Sequence, residues 1–238
     1  NKKVMKKVLI VHAHPESKSF CSSLKNEAVS YFQLQGAEVK VSDLYAMNWN
    51  PVASAADFTQ RKSPDYLVYA LEQRHNYEQQ AIAPDIAVEL DKLKAADLVI
   101  FNFPLYWFSV PAILRGWIDR VLLSGVCYGG MRFYDQGGLK GKKALVTLTL
   151  GGREHMFGEN AIHGELVDGM LRPLLRGTLA YVGLEVLPPF IGYHVPYISQ
   201  EAREQILVDY KHYLANLSDL TPLRYPHMDE FDGKLYPK

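Results

Sequence analysis

Three short stretches of the sequence collect residue types that could bind a ligand, and the first of them suits a phosphate group. HAHPESKSFCSSL (residues 12–24) supplies His14, Lys18 and two hydroxyls, Ser17 and Ser19, just before a run with helical spacing. Hydroxyls, a cation and the unpaired N–H groups at a helix N-terminus together form a natural phosphate site. The alternative is that Ser17 or Ser19 is an ordinary N-cap.

The second stretch, PLYWFSVP (residues 104–111), places Tyr106, Trp107 and Phe108 between two prolines. Most aromatic side chains fill a core, and that is the alternative here. These three, however, follow an apolar run that is typical of a strand, and prolines stiffen the loop that carries them. A rigid aromatic loop at the end of a strand indicates a pocket wall that suits the edge of a flat ring.

The third stretch is TLGGREHMFGENAIHGE (residues 149–165). Gly151 and Gly152 allow the backbone to approach a ligand closely, although a pair of glycines also suits a plain tight turn. His163 follows, and a histidine near a pocket can titrate near neutrality and move protons. The alternative for His163 is a structural role.

Several common catalytic motifs are absent from the sequence. No G-x-G-x-x-G or G-x-x-x-x-G-K-[ST] occurs. This argues against a glycine-lined dinucleotide-binding turn and against a nucleoside triphosphatase. No G-x-S-x-G marks a serine nucleophile. The eight histidines show no spacing typical of a metal site, so we expect no metal.

Composition limits the partners and the compartment. Lys+Arg and Asp+Glu both total 26, so the formal net charge is zero and no nucleic-acid partner is expected. The two cysteines lie far apart, which favours a reducing compartment. The apolar run at residues 8–11 is too short for a signal peptide, and residues 98–114 contain an asparagine and two prolines. We therefore expect a cytoplasmic protein without a membrane span.

The strands and helices that position the three stretches can be predicted from the hydrophobic periodicity of the sequence. Apolar or alternating runs predict strands, and helical spacing predicts helices between them. The predicted strands are 7–13, 38–44, 96–103, 142–150 and 184–193, the last cut short by Pro188 and Pro189. The predicted helices are 20–36, 64–95 with a break at Pro84, one beginning near Ser109 and Pro111, roughly 165–182, and 200–217.

This alternation predicts an α/β fold, a doubly wound five-stranded parallel sheet with helices on both faces and the flavodoxin-like order 2-1-3-4-5. In that order the loops after strands one, three and four meet at one edge, where the three stretches outline a flavin site. We expect residues 1–218 to form the flavin-binding domain, with an insertion at about 45–95. Residues 219–238 contain three prolines and no periodicity, and are expected to form a C-terminal arm that frays or lies on another surface, such as a second subunit.

Four blocks of the sequence carry a family resemblance. KKVLIVHAHPESKSFCSSLKN, VSDLYAMNWNP, ADLVIFNFPLYWFSVPAILRGWIDRVL and GGREHMFGENAIHGE resemble the NAD(P)H:quinone oxidoreductases of the DT-diaphorase type, near the quinone reductase 2-like and bacterial long-form members. The resemblance covers roughly residues 6–217. It implies a homodimer with active sites at the interface, bound FAD rather than FMN, and ping-pong hydride transfer from NADH or NADPH to a quinone.

The resemblance also implies roles for individual residues. The loop for the FAD pyrophosphate comprises His14, Lys18, Ser19, Phe20, Cys21 and Ser23. The segment flanking the isoalloxazine ring comprises Pro104, Leu105, Tyr106, Trp107 and Phe108. The segment under the ring comprises Thr149, Leu150, Gly151 and Gly152, and Arg203 lies near the adenine. The substrate-binding residues are Trp107, Phe108, Tyr128 and His163.

Three positions depart from the family pattern. His163 matches the histidine of the family's catalytic pair, but Phe157 stands in the flavin site where the family has the paired tyrosine. Cys21 replaces an asparagine, and Gly130 replaces a second pocket tyrosine, while Tyr128 keeps the first. We therefore assign catalysis to His163, assisted by the backbone N–H groups of Gly151 and Gly152.

Other functions remain open at this point. Relatives of this fold act as regulatory partners of potassium efflux systems, and azo- or nitro-reductases use the same flavin chemistry with another acceptor. One-electron carriers are usually smaller and strongly acidic, whereas this chain is neutral and contains the insertion.

Overall fold

The chain folds around a parallel sheet, and the computed structural model describes residues 5–238, so residues 1–4 of the predicted domain lie outside it. The strands are β1 (Lys7–His12), β2 (Glu38–Asp43), β3 (Leu98–Pro104), β4 (Lys143–Thr149), β5 (Glu185–Val186) and β6 (Phe190–Gly192). Their order is β2-β1-β3-β4-β5, with β6 also paired to β4, and every pair is parallel. The predicted order is confirmed.

Helices lie between these strands and after the last of them. They are α1 (Phe20–Leu34), α2 (Tyr69–Glu78), α3 (Pro84–Ala95), α4 (Ala112–Val121), α5 (Arg172–Leu174) and α6 (Gln200–Ala215). Wider π-helical turns, Leu166–Met170 and Leu175–Ala180, flank α5. The helix predicted over 165–182 is therefore distorted, which agrees with Pro173, since proline removes an N–H from the helical ladder.

Helices cover both faces of the sheet, as predicted. Every residue of β3 is buried, because a central parallel strand meets a helical layer on each side. Val99 and Phe101 face one core, where they pack with Trp117 of α4. Leu98 and Ile100 face the other core, which α1 and α6 close.

The fifth strand position is filled by two pieces rather than one. Pro188 and Pro189 separate β5 from β6, and proline cannot donate a hydrogen bond to a strand ladder. β6 nevertheless continues the parallel pairing with β4, since Ile191 lies opposite Leu148. The edge strand therefore still reaches the carboxyl edge of the sheet.

An ionic cluster, which we call the clasp, joins residues 45–95 to α4. Arg120 of α4 donates to Asp57 and Asp85, and the hydroxyl of Tyr69 donates to Asp57. Arg120 and Asp57 are both buried. The clasp fixes residues 57–85 against the helix that follows the aromatic loop.

The C-terminal arm lies along the edge of this chain's own sheet. The N–H of Leu223 donates to the carbonyl of Val186, and the N–H of Met228 donates to Asp135. Within residues 5–238, no helix has the length and apolar character needed to cross a membrane.

Candidate cofactor site

A cavity of about 690 Å³ lies at the carboxyl edge of the sheet, and all three predicted stretches line it. The expected cofactor residues on its wall are His14, Lys18, Ser19, Phe20, Cys21, Ser23, Pro104, Leu105, Tyr106, Thr149, Leu150, Gly151 and Arg203. Parallel strands end at the same edge, so loops that are far apart in sequence meet there.

The start of α1 forms one end of the cavity. Ser19 is the N-cap, and its Oγ accepts the N–H of Ser22 at 3.0 Å. The capping interpretation is therefore confirmed for Ser19. Among the described residues, nothing accepts the N–H groups of Phe20 and Cys21. A helix N-terminus with unpaired N–H groups attracts an anion, so the Ser19 cap leaves room for the predicted phosphate site.

His14 adds a directed donor to this end. Burial lowers the pKa of His14, which keeps the imidazole neutral near pH 7. Its Nδ1 accepts the N–H of Glu16 at 2.9 Å. The proton of the neutral ring therefore sits on Nε2, which is left to donate to a ligand in the cavity.

A neutral polar network lies under the start of α1, and no motif in the sequence predicted it. Asn102 Nδ2 donates to His12 Nδ1 at 2.9 Å and to the carbonyl of Cys21 at 3.0 Å. The Nε2–H of His12 then donates to Ser22 Oγ at 3.2 Å. Burial lowers the pKa of His12 to about 4 and raises that of Cys21 to about 12. The network therefore anchors α1 to the sheet without a charge.

The aromatic loop forms a tight turn with a strained backbone. Tyr106 and Ser109 exchange two backbone hydrogen bonds of 3.0 and 2.9 Å. Trp107 and Phe108 between them have φ angles of 49° and 55°, which L-residues rarely adopt. Trp107 is 96% exposed, so the alternative that it fills the core is wrong. Strain of this kind concentrates at functional sites.

The glycine turn and His163 form a second aromatic wall beside the cavity. The ring of His163 lies 5.4 Å from Phe108 and 5.3 Å from Phe157, measured between centroids. A Cβ on Gly152 would lie 3.0 Å from the ring of Phe157, a tighter contact than most side chains make, so the packing here favours glycine. Phe108, Gly152, Phe157 and His163 thus lie together next to the cavity rather than on its wall.

Comparisons with known proteins agree with this architecture. A family model for the flavodoxin-like fold matches residues 6–216. A ribosyldihydronicotinamide dehydrogenase [quinone] of Mus musculus is 46% identical over 92% of this chain and 94% of its own length. An NAD(P)H dehydrogenase [quinone] 1 of Cavia porcellus is 40% identical over 96% of this chain and 83% of its own.

A solved structure supports the same relationship. A Klebsiella pneumoniae protein assigned as a quinone reductase superposes with a TM-score of 0.91 and 35% identity, covering 98% of this chain and 94% of that chain. The chain belongs to the NAD(P)H:quinone oxidoreductase family.

One residue expected from the quinone oxidoreductase family pattern lies apart from the others. The ring of Tyr128 packs 5.6 Å from Tyr181, and Phe133 and Tyr134 contact the same ring. Tyr128 is not on the cavity wall and makes no ring contact with His163 in the part of the chain that the structure describes. A single copy of the chain does not bring Tyr128 to the glycine turn.

The sequence predicted only part of the far end of the cavity in this quinone oxidoreductase. Arg203 lines it as expected, and its Nη1 donates to the carbonyl of Val195 at 2.9 Å. The wall also contains Val195, Pro196, Gln200, Glu204 and Leu207. These residues belong to α6 and the segment before it, and no motif marks them. Their helical spacing around Arg203 was the available signal.

Proposed function

We propose that this chain is a flavin-dependent NAD(P)H:quinone oxidoreductase that passes two electrons from NADH or NADPH through FAD to a quinone in a ping-pong cycle. The observation that carries the proposal is the meeting of three features on one cavity of about 690 Å³. They are the unpaired start of α1, the strained aromatic turn and the glycine turn. Family membership supports the same reaction.

The described residues fit a flavin. Unpaired N–H groups at the start of α1, together with Lys18 and His14, would hold phosphate groups. FAD is preferred to FMN because the cavity continues past the phosphate end to Arg203, Gln200 and Glu204 of α6. FMN would leave this polar end without a partner.

A bound flavin would supply the two-electron exchange, and the protein would position and stabilise it. Neither Gly151 nor Gly152 has an acceptor for its N–H among residues 5–238, so both can donate to a group that gains negative charge. Phe157 has no proton to give, and of the two rings that contact it, His163 and Tyr193, we assign the proton donor to His163 because it matches the histidine of the family pattern. General acid help of this kind is worth about 10²–10⁴-fold in rate.

The proposed working unit is a homodimer in the cytoplasm. Tyr128 belongs to the expected substrate residues but lies apart from His163 within one copy, which supports a site completed by a second copy. Cys21 and Cys127 are both free and buried, which supports a reducing compartment. Sedimentation or light scattering of the purified protein measures the dimer directly.

The identity of the cofactor and the activity can be tested together. We expect the purified protein to be yellow, to release FAD on heating as identified by chromatography, and to reduce a benzoquinone with NADH or NADPH. A colourless protein that takes up neither FAD nor FMN would overturn the proposal. Reduction of azo or nitro compounds faster than quinones, or flavin binding without turnover, would instead favour a reductase of another class or a regulatory partner.

The role of His163 has its own test. We expect His163→Ala to slow flavin reduction by about 10²–10⁴-fold in stopped-flow absorbance, while FAD affinity changes little. His212→Ala, at an exposed position of α6, is the matched control. An unchanged reductive half-reaction would remove His163 from the proposed mechanism.

A further inference from the structure

His194 makes two hydrogen bonds to the glycine turn. Its Nδ1 lies 2.8 Å from the carbonyl oxygen of Gly151, and its backbone N–H donates to the carbonyl of Gly152 at 2.8 Å. A carbonyl oxygen only accepts, so Nδ1 carries a proton and donates it to the carbonyl of Gly151. Successive carbonyls of the turn therefore both point at one residue.

Because the peptide group is planar, these hydrogen bonds to carbonyls also restrict where the N–H groups of the turn point. In a planar trans peptide the C=O and the following N–H point in opposite directions. A carbonyl of Gly151 that is held toward His194 therefore directs the N–H of Gly152 away from it. The next N–H, of Arg153, is already occupied by Met156 Sδ at 3.3 Å, which leaves the N–H of Gly152 as the adjustable donor.

The orientation of the peptide between Gly151 and Gly152 must be fixed by a neighbouring residue, because glycines do not fix it themselves. Gly151 and Gly152 lack the Cβ that restricts other residues, so their shared peptide can rotate at low cost. His194 itself is held in place. Its φ is 55°, its ring lies 5.0 Å from that of Tyr197, and Arg153 Nε donates to its Nε2 at 3.4 Å.

We propose that His194 is the positioning residue that fixes the peptide between Gly151 and Gly152, so that the N–H of Gly152 is presented to the cofactor ring. This inference rests on the proposed function, since it specifies how the site stabilises negative charge there. His194 acts through the turn and contacts no reacting atom itself. Its contribution lies in the orientation of one donor rather than in the fold.

Two variants separate the side-chain bond from the unusual backbone. His194→Gly keeps the left-handed conformation and the bond to Gly152 but lacks the side-chain donor. His194→Asn tolerates the same conformation and places an amide N–H where Nδ1–H stands. We measure the two-electron midpoint potential of bound FAD, the rate of its reduction by NADH or NADPH, and the unfolding midpoint of each variant.

We expect His194→Gly to bind FAD but to reduce it about tenfold more slowly, with a potential about 30 mV more negative, the two-electron equivalent of tenfold. His194→Asn should recover both quantities to within about twofold, while both variants unfold near the wild type. Equal behaviour of the two variants, or a wild-type potential in His194→Gly, would overturn the inference.

Failure of this inference is distinguishable from failure of the proposed function. Crystal structures of the wild type and of His194→Gly, both determined without FAD, would show the orientation of the peptide directly. A peptide that keeps its orientation in His194→Gly refutes the positioning role even if the enzyme is active. A wild type that neither binds flavin nor reduces quinones refutes the proposed function whatever the peptide does.

Discussion

The clasp and the aromatic turn lie at opposite ends of α4 and its preceding loop, and they hold their side chains in opposite ways. In the clasp, Arg120 pairs with Asp57 and Asp85 at 2.7 Å each, and its guanidinium lies 4.7 Å above the ring of Trp49. In the turn, Trp107 is almost fully exposed on a strained backbone and no packing explains its position.

The charges of the clasp satisfy one another. Burial raises the pKa of Asp57, but hydrogen bonds from Arg120, Tyr69 and Ser54 outweigh it, so the pKa lies below its ordinary value. Breaking such a pair leaves an unpaired buried charge, which is costly. Around the cavity, in contrast, donors such as the N–H of Gly152 have no acceptor within residues 5–238. The comparison shows that the charged groups of the clasp are paired with one another, whereas the N–H groups of the glycine turn have no partner among the described residues.

The largest expected effect breaks the clasp. Arg120→Ala should lower the free energy of unfolding by about 3–5 kcal/mol, because Asp57 is left buried and unpaired. Arg115→Ala, which removes an exposed pair with Asp119 on the same helix, should cost only about 0–1 kcal/mol. Urea unfolding of both variants measures the difference. Equal losses would show that the clasp contributes no more than a surface pair.

The second-largest expected effect is the pH dependence that the neutral network gives to the free energy of unfolding. His12 has a pKa of about 4 in the folded protein against 6.5 when unfolded, so the unfolded chain binds more protons between these values. The contribution of His12 to the free energy of unfolding is fully present above pH 6.5 and is lost as the pH falls toward 4. The total loss is about 3 kcal/mol.

Replacing His12 tests this assignment. His12→Gln should be less stable than the wild type at pH 7 and should show a shallower loss between pH 6.5 and 4 in urea titrations. His212→Gln, at an exposed position, is the control for replacing an imidazole with an amide. An unchanged slope in His12→Gln would assign the acid sensitivity to other groups.

A smaller effect compares two helix caps. Ser19→Ala and Ser199→Ala each remove an N-cap, at α1 and α6, and each should cost about 1 kcal/mol. Only Ser19 lines the cavity, so only its loss should also weaken FAD binding, by about fivefold in Kd. Fluorescence titration with FAD measures it, and equal affinities in the two variants would separate the cap from the phosphate site.

The smallest expected effect on stability is at the aromatic turn. Trp107→Gly should leave the free energy of unfolding within about 1 kcal/mol of the wild type, because an exposed side chain is lost and strain is relieved. Trp107→Ala keeps the strained φ and should be about 1 kcal/mol less stable than Trp107→Gly. Both variants should raise the KM for quinone. A large loss of stability in Trp107→Gly would mean that the ring stabilises the fold.

Some features of the site could be predicted because local patterns fix them. The apolar runs of β1, β3 and β4 predicted parallel strands, and parallel strands place their following loops at one edge. The start of α1, the aromatic segment and the glycine turn therefore meet at the cavity as predicted. The distortion around α5 could not be predicted, since helical spacing alone does not distinguish α from π turns.

Sequence alone determined the strand order and which loops surround the cavity, because hydrophobic periodicity and the topology of parallel sheets are enough to fix both. Only the tertiary structure decided that Asn102 reaches His12, that His194 holds the glycine turn, and that Tyr128 lies away from His163. Each of these depends on residues about 35 to 90 positions apart in the chain, and no local sequence pattern specifies which of them meet.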